Sequence, residues 1–530
     1  MSVALRAPCD ETAIRSGGPA SRCPPARRRW VLATAILGSS MAFIDGTVVN
    51  VALPALQASL GATLHQAQWV VESYALLLAA LLLLGGALGD RFGRRRIFVI
   101  GVVVFGVASL ACALSRDVHA LILARAVQGV GGALLVPGSL ALISAAFDEH
   151  ERGKAIGTWA GFSGVTTALG PVLGGYLVDR YSWVWAFLVN VPLAIAVLAM
   201  ALLRVDESRD PHAPARLDWG GAALATLGLG GIVFGFIEAP TRGWGSPAVL
   251  AALGLGLAAL AAFVATERHA AAPMLPMRFF RNRNFAGANA LTLLLYAALG
   301  GGLFFLPLAL IQVHGYSAAG AGAALLPFIL IMFALSRAAG RLADRIGPRP
   351  PLVAGPLIAA AGFGLLAVPG IGGSYWSHFL PGIVVLGLGM TLTVAPLTTT
   401  VMNAAGAEAA GTASGINNAV SRVAGLLAVA VFGTLMTWAF DAALPGQLQH
   451  LQVPPDITAL VLRQHDRLAA IELPSGIDAS AAHAARQAVG EAFIAGFRWV
   501  MLASAACCLA GAAAAGALVR QPASTGPSPA

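Results

Sequence analysis

The feature that most constrains this chain is a series of apolar segments, each close to the length that crosses a bilayer. A helix needs about 20 residues to span the ~30 Å hydrocarbon core. Only 11% of the 530 residues are charged, against about one quarter in soluble domains. This composition excludes a large soluble protein and predicts an all-α integral membrane protein. The fourteen predicted transmembrane helices are 30–54, 67–88, 97–115, 119–145, 154–178, 184–203, 217–238, 247–266, 284–312, 319–340, 351–369, 378–402, 411–440 and 491–518.

The distribution of basic residues predicts the orientation of these spans. Cytoplasmic loops of membrane proteins carry an excess of Lys and Arg. With the N-terminus in the cytoplasm, only six of the 33 Lys and Arg residues fall in loops on the opposite side, and these are Arg116, Arg180, Arg242, Arg463, Arg467 and Arg486. We therefore expect a multi-pass protein of the inner (plasma) membrane with both termini in the cytoplasm. The clustering of arginines between apolar runs indicates topology rather than binding of nucleic acid.

The polar N-terminal stretch allows two interpretations. A signal peptide is one, but the apolar run from Trp30 to Leu53 is longer than a signal h-region and contains Asp45. We expect instead a disordered cytoplasmic tail over residues 1–29, followed directly by the first transmembrane helix.

An internal repeat predicts how the spans are grouped. A charged turn containing Asp90 and Arg91 follows the second span, and a similar turn containing Asp344 and Arg345 follows the tenth. Parallel repeats of this kind are typical of transporters whose site lies between two bundles. The predicted regions are a tail over 1–29, a six-helix bundle over 30–205, two inserted helices over 206–270, a second six-helix bundle over 271–520 with an extracytoplasmic loop over 441–490, and a cytoplasmic tail over 521–530. The loop is interpreted either as an outer cap or as a tolerated insertion.

Four motifs on spans one, two to three, four and five give the chain a family resemblance. They are Asp45-Gly46-Thr47-Val48-Val49-Asn50, Gly86-x-Leu88-x-Asp90-Arg91-x-Gly93-Arg94-Arg95, Arg125-Ala126-Val127-Gln128-Gly129 and Gly170-Pro171-Val172-Leu173-Gly174-Gly175. In these the chain resembles the major facilitator superfamily, and within it the fourteen-span drug:proton antiporters of the multidrug efflux type. The resemblance implies the major facilitator fold and proton-coupled export of drugs or other small organic molecules by alternating access.

The chain departs from the family pattern at two places, and other function classes stay open. Thr166 stands where the span-five motif often has glycine, and Trp183-Val184-Trp185 replaces a Trp-Arg-Trp sequence. A dedicated metabolite or siderophore exporter of the same fold is the alternative, and a non-transporting membrane sensor is a third interpretation. The sequence contains no phosphate-binding loop and no zinc-protease or paired-cysteine motif. We therefore predict a non-enzymatic transporter without cofactor or metal, driven by an electrochemical gradient.

Three ionisable residues within or at the start of spans are the predicted proton-coupling residues: Asp45, Arg125 and Glu72. Charges in the hydrocarbon region are costly and need a partner or a function. Asp45 is interpreted as a carboxyl group that loads and releases a proton, or alternatively as a permanently paired carboxylate. The family resemblance associates Arg125 with proton transfer, and a helix-to-helix clamp is the alternative. Glu72 is placed equally well in the central cavity or at the water-exposed membrane interface.

The resemblance assigns gating to the charged turn between spans two and three, with Gly86, Asp90, Arg91, Gly93, Arg94 and Arg95 as its residues. It implies that Asp90 and the arginines pair across the two bundles and hold the inner side closed. The same arginines also serve as a topology signal.

The span-five motif predicts close helix packing. Its residues are Gly170, Pro171, Gly174 and Gly175, and small residues allow neighbouring helices to approach closely. The spacing of Gly157, Gly161, Gly164, Ala168 and Gly175 predicts a ridge of this kind along the same helix.

A last group of polar residues is predicted to line the substrate cavity: Asn50, Gln128, Asn417, Asn418 and Arg422. Arg422 either binds an anionic substrate group or pairs with an acid of another span. Phe43, Trp69 and Tyr74 are candidates for an aromatic pocket or for interfacial anchors. The expected partners are a small-molecule substrate, protons and the lipid bilayer, in a protein that works as a monomer.

Overall fold

The computed structural model describes residues 25–147, 149–210, 217–270, 273, 275–405, 410–474 and 476–520. The regular structure in these ranges is helical. Most of the predicted N-terminal tail (1–29) and all of the predicted C-terminal tail (521–530) lie outside the described residues.

The main helices, named α1 to α14 in chain order, occupy the fourteen predicted spans. They are α1 Pro25–Leu60, α2 Leu64–Phe92, α3 Arg94–Leu114, α4 Val118–Ala146, α5 Glu149–Arg180, α6 Asn190–Arg204, α7 Trp219–Arg242, α8 Pro247–His269, α9 Arg283–Leu308, α10 Leu326–Ile346, α11 Arg349–Leu366, α12 Leu380–Ala405, α13 Ala410–His450 and α14 Ala479–Leu518. Within the described residues, thirteen helical segments are long and apolar enough to cross a membrane, and α5 covers the remaining predicted span, 154–178. The predicted all-α membrane fold is confirmed.

Three of these spans contain a break near the predicted outer side. A short helix, Trp185–Leu188, precedes α6, a π-helical turn, Ala309–Val313, follows α9, and the helix Ala318–Ala324 precedes α10.

Polar residues cap the starts of several helices. Thr63 accepts a hydrogen bond from the backbone of Gln66, whose side chain accepts one from the backbone of Thr63. Asp117 accepts hydrogen bonds from the backbone of His119 and Ala120 at the start of α4. Such caps satisfy backbone donors that a helix leaves unpaired at its first turn.

The described residues form two compact units. The first comprises residues up to Met274 together with Leu310–Ala323 and Asp466–Ala470, and the second comprises Leu275–Ala309, Ala324–His465 and the chain from Ile471 onward. In the first unit α1 packs on α5, α2 and α3 pack on α4, and α7 packs on α8. In the second unit α11 packs on α12 and α14, and α9 packs on α13 and α14.

The segment predicted as a long outer loop is largely helical. Helix α13 continues to His450, α14 begins at Ala479, and a further helix covers Pro455–Arg463. Asp441 contacts His465 at 2.9 Å between the carboxylate and Nδ1. The two last spans are therefore longer than the sequence predicts, because their polar ends remain helical beyond the apolar stretch.

Candidate functional site

The centre of the candidate site is an ion pair buried in the first unit. Asp45 of α1 and Arg125 of α4 face one another, with 2.5 Å between Oδ2 of the aspartate and Nη1 of the arginine. Asp45 is 0% exposed and Arg125 is 1% exposed. The structure thus brings together two of the three residues predicted for proton coupling.

Two amide side chains complete the contacts of the Asp45 carboxylate. Gln128, one turn after Arg125, donates from Nε2 to Oδ1 of Asp45 at 2.8 Å. Asn190, the first residue of α6, donates from Nδ2 to the same oxygen at 3.0 Å. Sequence analysis placed Gln128 in a substrate cavity and missed Asn190. A lone asparagine in an apolar span was the signal that could have found it.

Arg125 is also fixed by groups other than Asp45. Its Nε donates to the carbonyl oxygen of Val70 at 3.0 Å, and its Nη1 donates to Oε1 of Gln128 at 2.6 Å. The Tyr74 ring lies 4.2 Å from the guanidinium carbon and the Phe187 ring 5.7 Å from it. A planar guanidinium can hydrogen-bond in its plane and stack on rings at the same time.

The orientation of the Gln128 amide is set by a third helix. Its Nε2 donates to Oγ of Ser109 in α3 at 2.8 Å, and Ser109 in turn donates to the carbonyl of Phe105 at 2.8 Å. Because the amide nitrogen contacts Ser109 and Asp45, the amide oxygen is directed to Arg125. Three helices therefore hold the donors around the carboxylate.

This donor set matches an ionised carboxylate. Every contact made by the two oxygens of Asp45 is with a hydrogen-bond donor, and one donor carries a full positive charge. Removing one partner of such a buried pair costs about 3–5 kcal/mol, since the other charge is left uncompensated. The structure shows Asp45 paired with Arg125, and its assignment as a proton carrier or as a permanently paired carboxylate stays a prediction.

Glu72 lies in a different environment from the pair of Asp45 and Arg125. Its side chain is 1% exposed, so the alternative of a water-exposed interfacial glutamate is wrong. At about 100° per residue, Glu72 lies about 160° around α2 from Val70 and Tyr74, the residues that contact Arg125. The structure does not bring Glu72 together with Asp45 and Arg125.

The charged turn predicted as a gate is ordered by contacts within the first unit. Nε of Arg94 donates to the Asp90 carboxylate at 2.8 Å, and Arg94 is only 5% exposed. Gly93 has a φ of +114°, a value that favours glycine, and a Cβ atom there would lie 2.8 Å from the Glu207 carboxylate.

Glu207 contacts this turn, and sequence analysis missed it. Its two oxygens accept hydrogen bonds from the backbone of Arg95 and Arg96 at 2.9 and 3.0 Å. Nη1 of Arg95 donates to the Val205 carbonyl at 3.0 Å. A carboxylate at a helix N-terminus satisfies unpaired donors and the positive end of the helix dipole, so Glu207 fixes the start of α3. Sequence analysis did not find this role because Glu207 lies far along the chain from the motif.

The span-five motif produces close contacts between α5 and α1. A Cβ atom at Gly170 would lie 1.9 Å from Oγ1 of Thr47, and one at Gly174 would lie 2.9 Å from Cγ1 of Val48. These positions accept no larger residue without movement of a helix.

The end of α5 also contacts the segment Leu310–Ala323, which belongs to the same unit. A Cβ atom at Gly175 would lie 2.3 Å from the Ala318 carbonyl oxygen. The Asp179 carboxylate accepts hydrogen bonds from the backbone of Ala318 and Ala319 at 2.9 and 2.8 Å. Asp179, which the sequence analysis did not select, therefore caps the helix Ala318–Ala324.

The predicted ridge of small residues along α5 is wrong over most of its length. No described heavy atom lies within 4 Å of a Cβ atom built at Gly157, Gly161 or Gly164. The side chain of Ala168 lies outside the described residues. Spacing alone could not show which face of α5 meets a neighbour. The close contacts fall at Gly170 and Gly174, and of the predicted ridge only Gly175 shares them.

The chain also matches a known protein family. A family model described as the Major Facilitator Superfamily matches residues 35–429. The chain belongs to the major facilitator superfamily. The match covers the residues of the ion pair and of the charged turn.

Similar major facilitator proteins are resistance and export proteins of bacteria. The chain is 36% identical to a tetracenomycin C resistance and export protein of Streptomyces glaucescens, over 81% of this chain and 79% of that protein. It is 38% identical to a puromycin resistance protein of Streptomyces alboniger, over 82% and 87%. It is 36% identical to a methylenomycin A resistance protein of Bacillus subtilis, over 77% and 88%. The chain belongs with the drug-efflux transporters of the superfamily.

A solved structure supports the same fold. The chain is similar to a bacterial homologue of the human lysosomal transporter Spinster, with a TM-score of 0.63 and 18% identity, over 93% of this chain and 97% of that one. This similarity concerns the fold, while the family match and the relatives show that the protein is a multi-pass membrane transporter of small molecules.

The remaining predicted residues of this major facilitator protein lie in separate places. In the second unit, Nδ2 of Asn417 donates to Oδ1 of Asn289 at 3.1 Å and to Oγ1 of Thr292 at 2.6 Å. Asn418 and Arg422 are half-buried on the same helix. Asn50 is half-buried in α1 of the first unit.

The three candidate aromatic residues contact different groups. The Phe43 ring lies 6.4 Å from that of Trp159, and Tyr74 stacks on Arg125. The Trp69 ring lies 6.2 Å from that of Phe234. The aromatic pocket and the interfacial anchors both stay predictions for these residues.

Proposed function

We propose that this protein exports small organic molecules across the inner membrane in exchange for protons, by alternating access. The observation that carries the proposal is the buried pair of Asp45 and Arg125. A charged pair removed from water within a membrane protein is costly to maintain, and such groups mark ion and proton pathways in transporters.

The arrangement of partners suits reversible protonation. When Asp45 takes up a proton, its carboxyl group becomes neutral and the attraction to Arg125 falls. Arg125 retains the Val70 carbonyl, the Gln128 amide oxygen and the Tyr74 ring as partners. The guanidinium therefore stays in place while the carboxyl group of α1 becomes free to separate from it, which couples the proton to a movement of α1 against α4.

The proton gradient is a sufficient source of energy. One charge that moves across 100 mV releases about 2.3 kcal/mol. Since a tenfold concentration ratio corresponds to about 1.4 kcal/mol, one proton per substrate supports a useful outward gradient. The names of the similar proteins, which refer to resistance against tetracenomycin C, puromycin and methylenomycin A, favour export of drugs or related compounds.

The first test measures proton release from everted membrane vesicles with a pH-sensitive dye. The vesicles are energised, and a panel of cationic dyes and antibiotics is added to vesicles containing the wild type or Asp45→Asn. We expect a substrate-dependent proton leak with the wild type and none with the variant, because the amide cannot carry a proton. Glu238→Gln is the matched control, since Glu238 is also a mostly buried carboxylate but binds Arg242 and Trp69.

Each outcome of this experiment has a definite meaning. Normal proton release from Asp45→Asn vesicles would refute the assignment of Asp45. A wild type that releases no proton with any compound, while remaining folded in the membrane, would favour the dedicated exporter of a metabolite or siderophore. In that case the same assay is repeated with metabolites.

A further inference from the structure

Asn190 is held differently from the other groups that contact the Asp45 carboxylate. Its side chain is 0% exposed, and its Nδ2 donates to Oδ1 of Asp45 at 3.0 Å. Its own Oδ1 atom has no hydrogen-bond partner among the described residues. An unsatisfied buried acceptor is unfavourable, and its retention beside a protonatable group points to a second arrangement in which this oxygen is used.

The oxygen of Asp45 that Asn190 contacts is the one that can take up a proton. Oδ2 of Asp45 faces Nη1 of Arg125 at 2.5 Å, and a guanidinium donates and does not accept. Oδ1 faces the amide groups of Gln128 and Asn190, which both present a donor to it. A protonated Oδ1 carries a hydrogen and needs an acceptor. The proton is therefore accommodated when one of the two amides turns its oxygen to Asp45.

Gln128 cannot turn without loss, because both ends of its amide group are held. Its Oε1 accepts from Nη1 of Arg125 at 2.6 Å, and its Nε2 also donates to Oγ of Ser109 at 2.8 Å. A rotation of this amide by 180° would place its NH2 group against the guanidinium, so that two donors would face each other. We therefore expect Gln128 to keep its orientation in both protonation states of Asp45.

The amide group of Asn190 is held at one end only. Rotation about χ2 exchanges the positions of Nδ2 and Oδ1, and this torsion of asparagine has a broad, roughly two-fold distribution. The opposite end of the amide has no hydrogen bond to break within the described part of the chain. After the rotation, Oδ1 of Asn190 would accept the hydrogen bond of the protonated Asp45.

The backbone that carries Asn190 is fixed by packing. Helix α6 packs on α1 and on α3. A Cβ atom built at Gly106 of α3 would lie 2.9 Å from Cβ of Ala194, and one at Gly38 of α1 would lie 3.6 Å from Cγ1 of Val197. The response to a proton is therefore expected at the end of the side chain and not in the helix.

Few other titratable groups of the described first unit face this pair. They are Cys112 of α3 and Tyr74 of α2. A buried thiol and a buried phenol are neutral at physiological pH. Glu72 lies on the other side of α2, and Tyr176, the titratable residue of α5 nearest in the chain to the contact with α1, is 55% exposed. The one titratable residue of α6 is Arg204, at the far end of that helix.

We propose that Asn190 is a positioning residue that serves both protonation states of Asp45. Its Nδ2 donates to the carboxylate, and after protonation its amide turns so that Oδ1 accepts the hydrogen of the carboxyl group. The proton comes from water, binds Oδ1 of Asp45 and returns to water, while the amide neither gains nor loses a proton. This inference rests on the proposed function, in which Asp45 carries the proton.

The test records infrared difference spectra of the purified full-length protein in nanodiscs as the pH is lowered. The carboxyl band that is lost in Asp45→Asn belongs to Asp45, and its wavenumber is higher when the O–H group donates no hydrogen bond. We expect Asn190→Leu to move this band to higher wavenumber. The variant should also raise the pH at which half of the band is present by about one unit, because a hydrogen bond to an ionised carboxylate is stronger than one between neutral groups.

Three further variants separate this role from a general effect on packing. Asn190→Ala removes the same polar groups with a smaller side chain, and it replaces Asn190→Leu if the latter does not fold. Asn190→Ser retains a group that can donate or accept, and its band should lie between those of the wild type and Asn190→Leu. Asn289→Leu is the matched control, since Asn289 is also a buried asparagine but contacts Phe285 and Asn417 in the second unit. It should leave the Asp45 band unchanged.

The outcomes distinguish this inference from the proposed function. An Asp45 band with unchanged wavenumber and unchanged midpoint in folded Asn190→Leu or Asn190→Ala would overturn the role of Asn190 and leave Asp45 as the proton carrier. A wild type in which no titrating band is lost on Asp45→Asn substitution would refute the assignment of Asp45, and this inference with it.

Discussion

Arg125 has more contacts than its pairing with Asp45 requires. It donates to a backbone carbonyl and to an amide oxygen, and it stacks on an aromatic ring. These contacts need a planar group with several donors in fixed directions, which arginine has and lysine lacks. At the residue scale, the site therefore depends on the shape of the cation as well as on its charge.

Arg125→Lys tests this dependence on shape. Lysine keeps the charge next to Asp45 but cannot reach Val70 and Gln128 in the same plane. We expect transport to fall by about tenfold or more, in line with the loss of one or two charge-assisted hydrogen bonds, while the protein remains inserted. Transport assays in vesicles matched for protein amount would measure this. Activity equal to the wild type would show that charge alone suffices.

At the scale of the elements, close packing is concentrated where α5 meets α1. Gly170 and Gly174 face Thr47 and Val48 at distances that leave no room for a side chain. Gly161, on the same helix, has no described atom near its Cβ position. Glycines that are alike in the sequence therefore have different structural roles, and the contact with α1 decides which of them are constrained.

Gly174→Leu and Gly161→Leu form a matched pair for this difference. The first should destabilise the protein by about 1–3 kcal/mol or more through overpacking against Val48. The second should be nearly neutral or slightly stabilising, because leucine favours a helix over glycine. Thermal unfolding of the two purified variants gives the comparison. Equal melting temperatures would contradict the assigned contact.

At the scale of the whole molecule, the described residues form fourteen main helices, and the predicted topology alternates their ends between the two sides of the membrane. Basic residues are concentrated in the loops assigned to the cytoplasm, as the positive-inside tendency requires. The longest helical extensions, around His450 and Ala479, fall on the opposite side in this topology. The orientation is a prediction that labelling can test.

Gln449→Cys and Arg281→Cys, both at exposed positions, test the orientation in a background without the five native cysteines. A membrane-impermeant maleimide added to intact cells should label the first variant and not the second, and both should react after the membrane is made permeable. Labelling of Arg281→Cys alone in intact cells would show that the orientation is the reverse of the predicted one.

The sequence by itself determined the class of the protein, the number of spans and the family. Span length and apolar composition are local properties, and the motifs containing Asp45, Asp90, Arg125 and Gly170 are contiguous in the chain. The sequence also indicated that Asp45 and Arg125 each need a partner or a function, because a charge in an apolar environment requires compensation, but it did not show that they meet.

Only the tertiary structure decided which side chains meet. Asn190 and Glu207 lie far along the chain from the groups that they contact, and the rotation of α2 separates Glu72 from Arg125. The tight glycines of α5 are those that face α1 or the segment containing Ala318. The physical reason is that the apolar surface of a span is nearly uniform, so its sequence does not specify how the helix is rotated. Interhelical packing and the pairing of buried polar groups fix that rotation together.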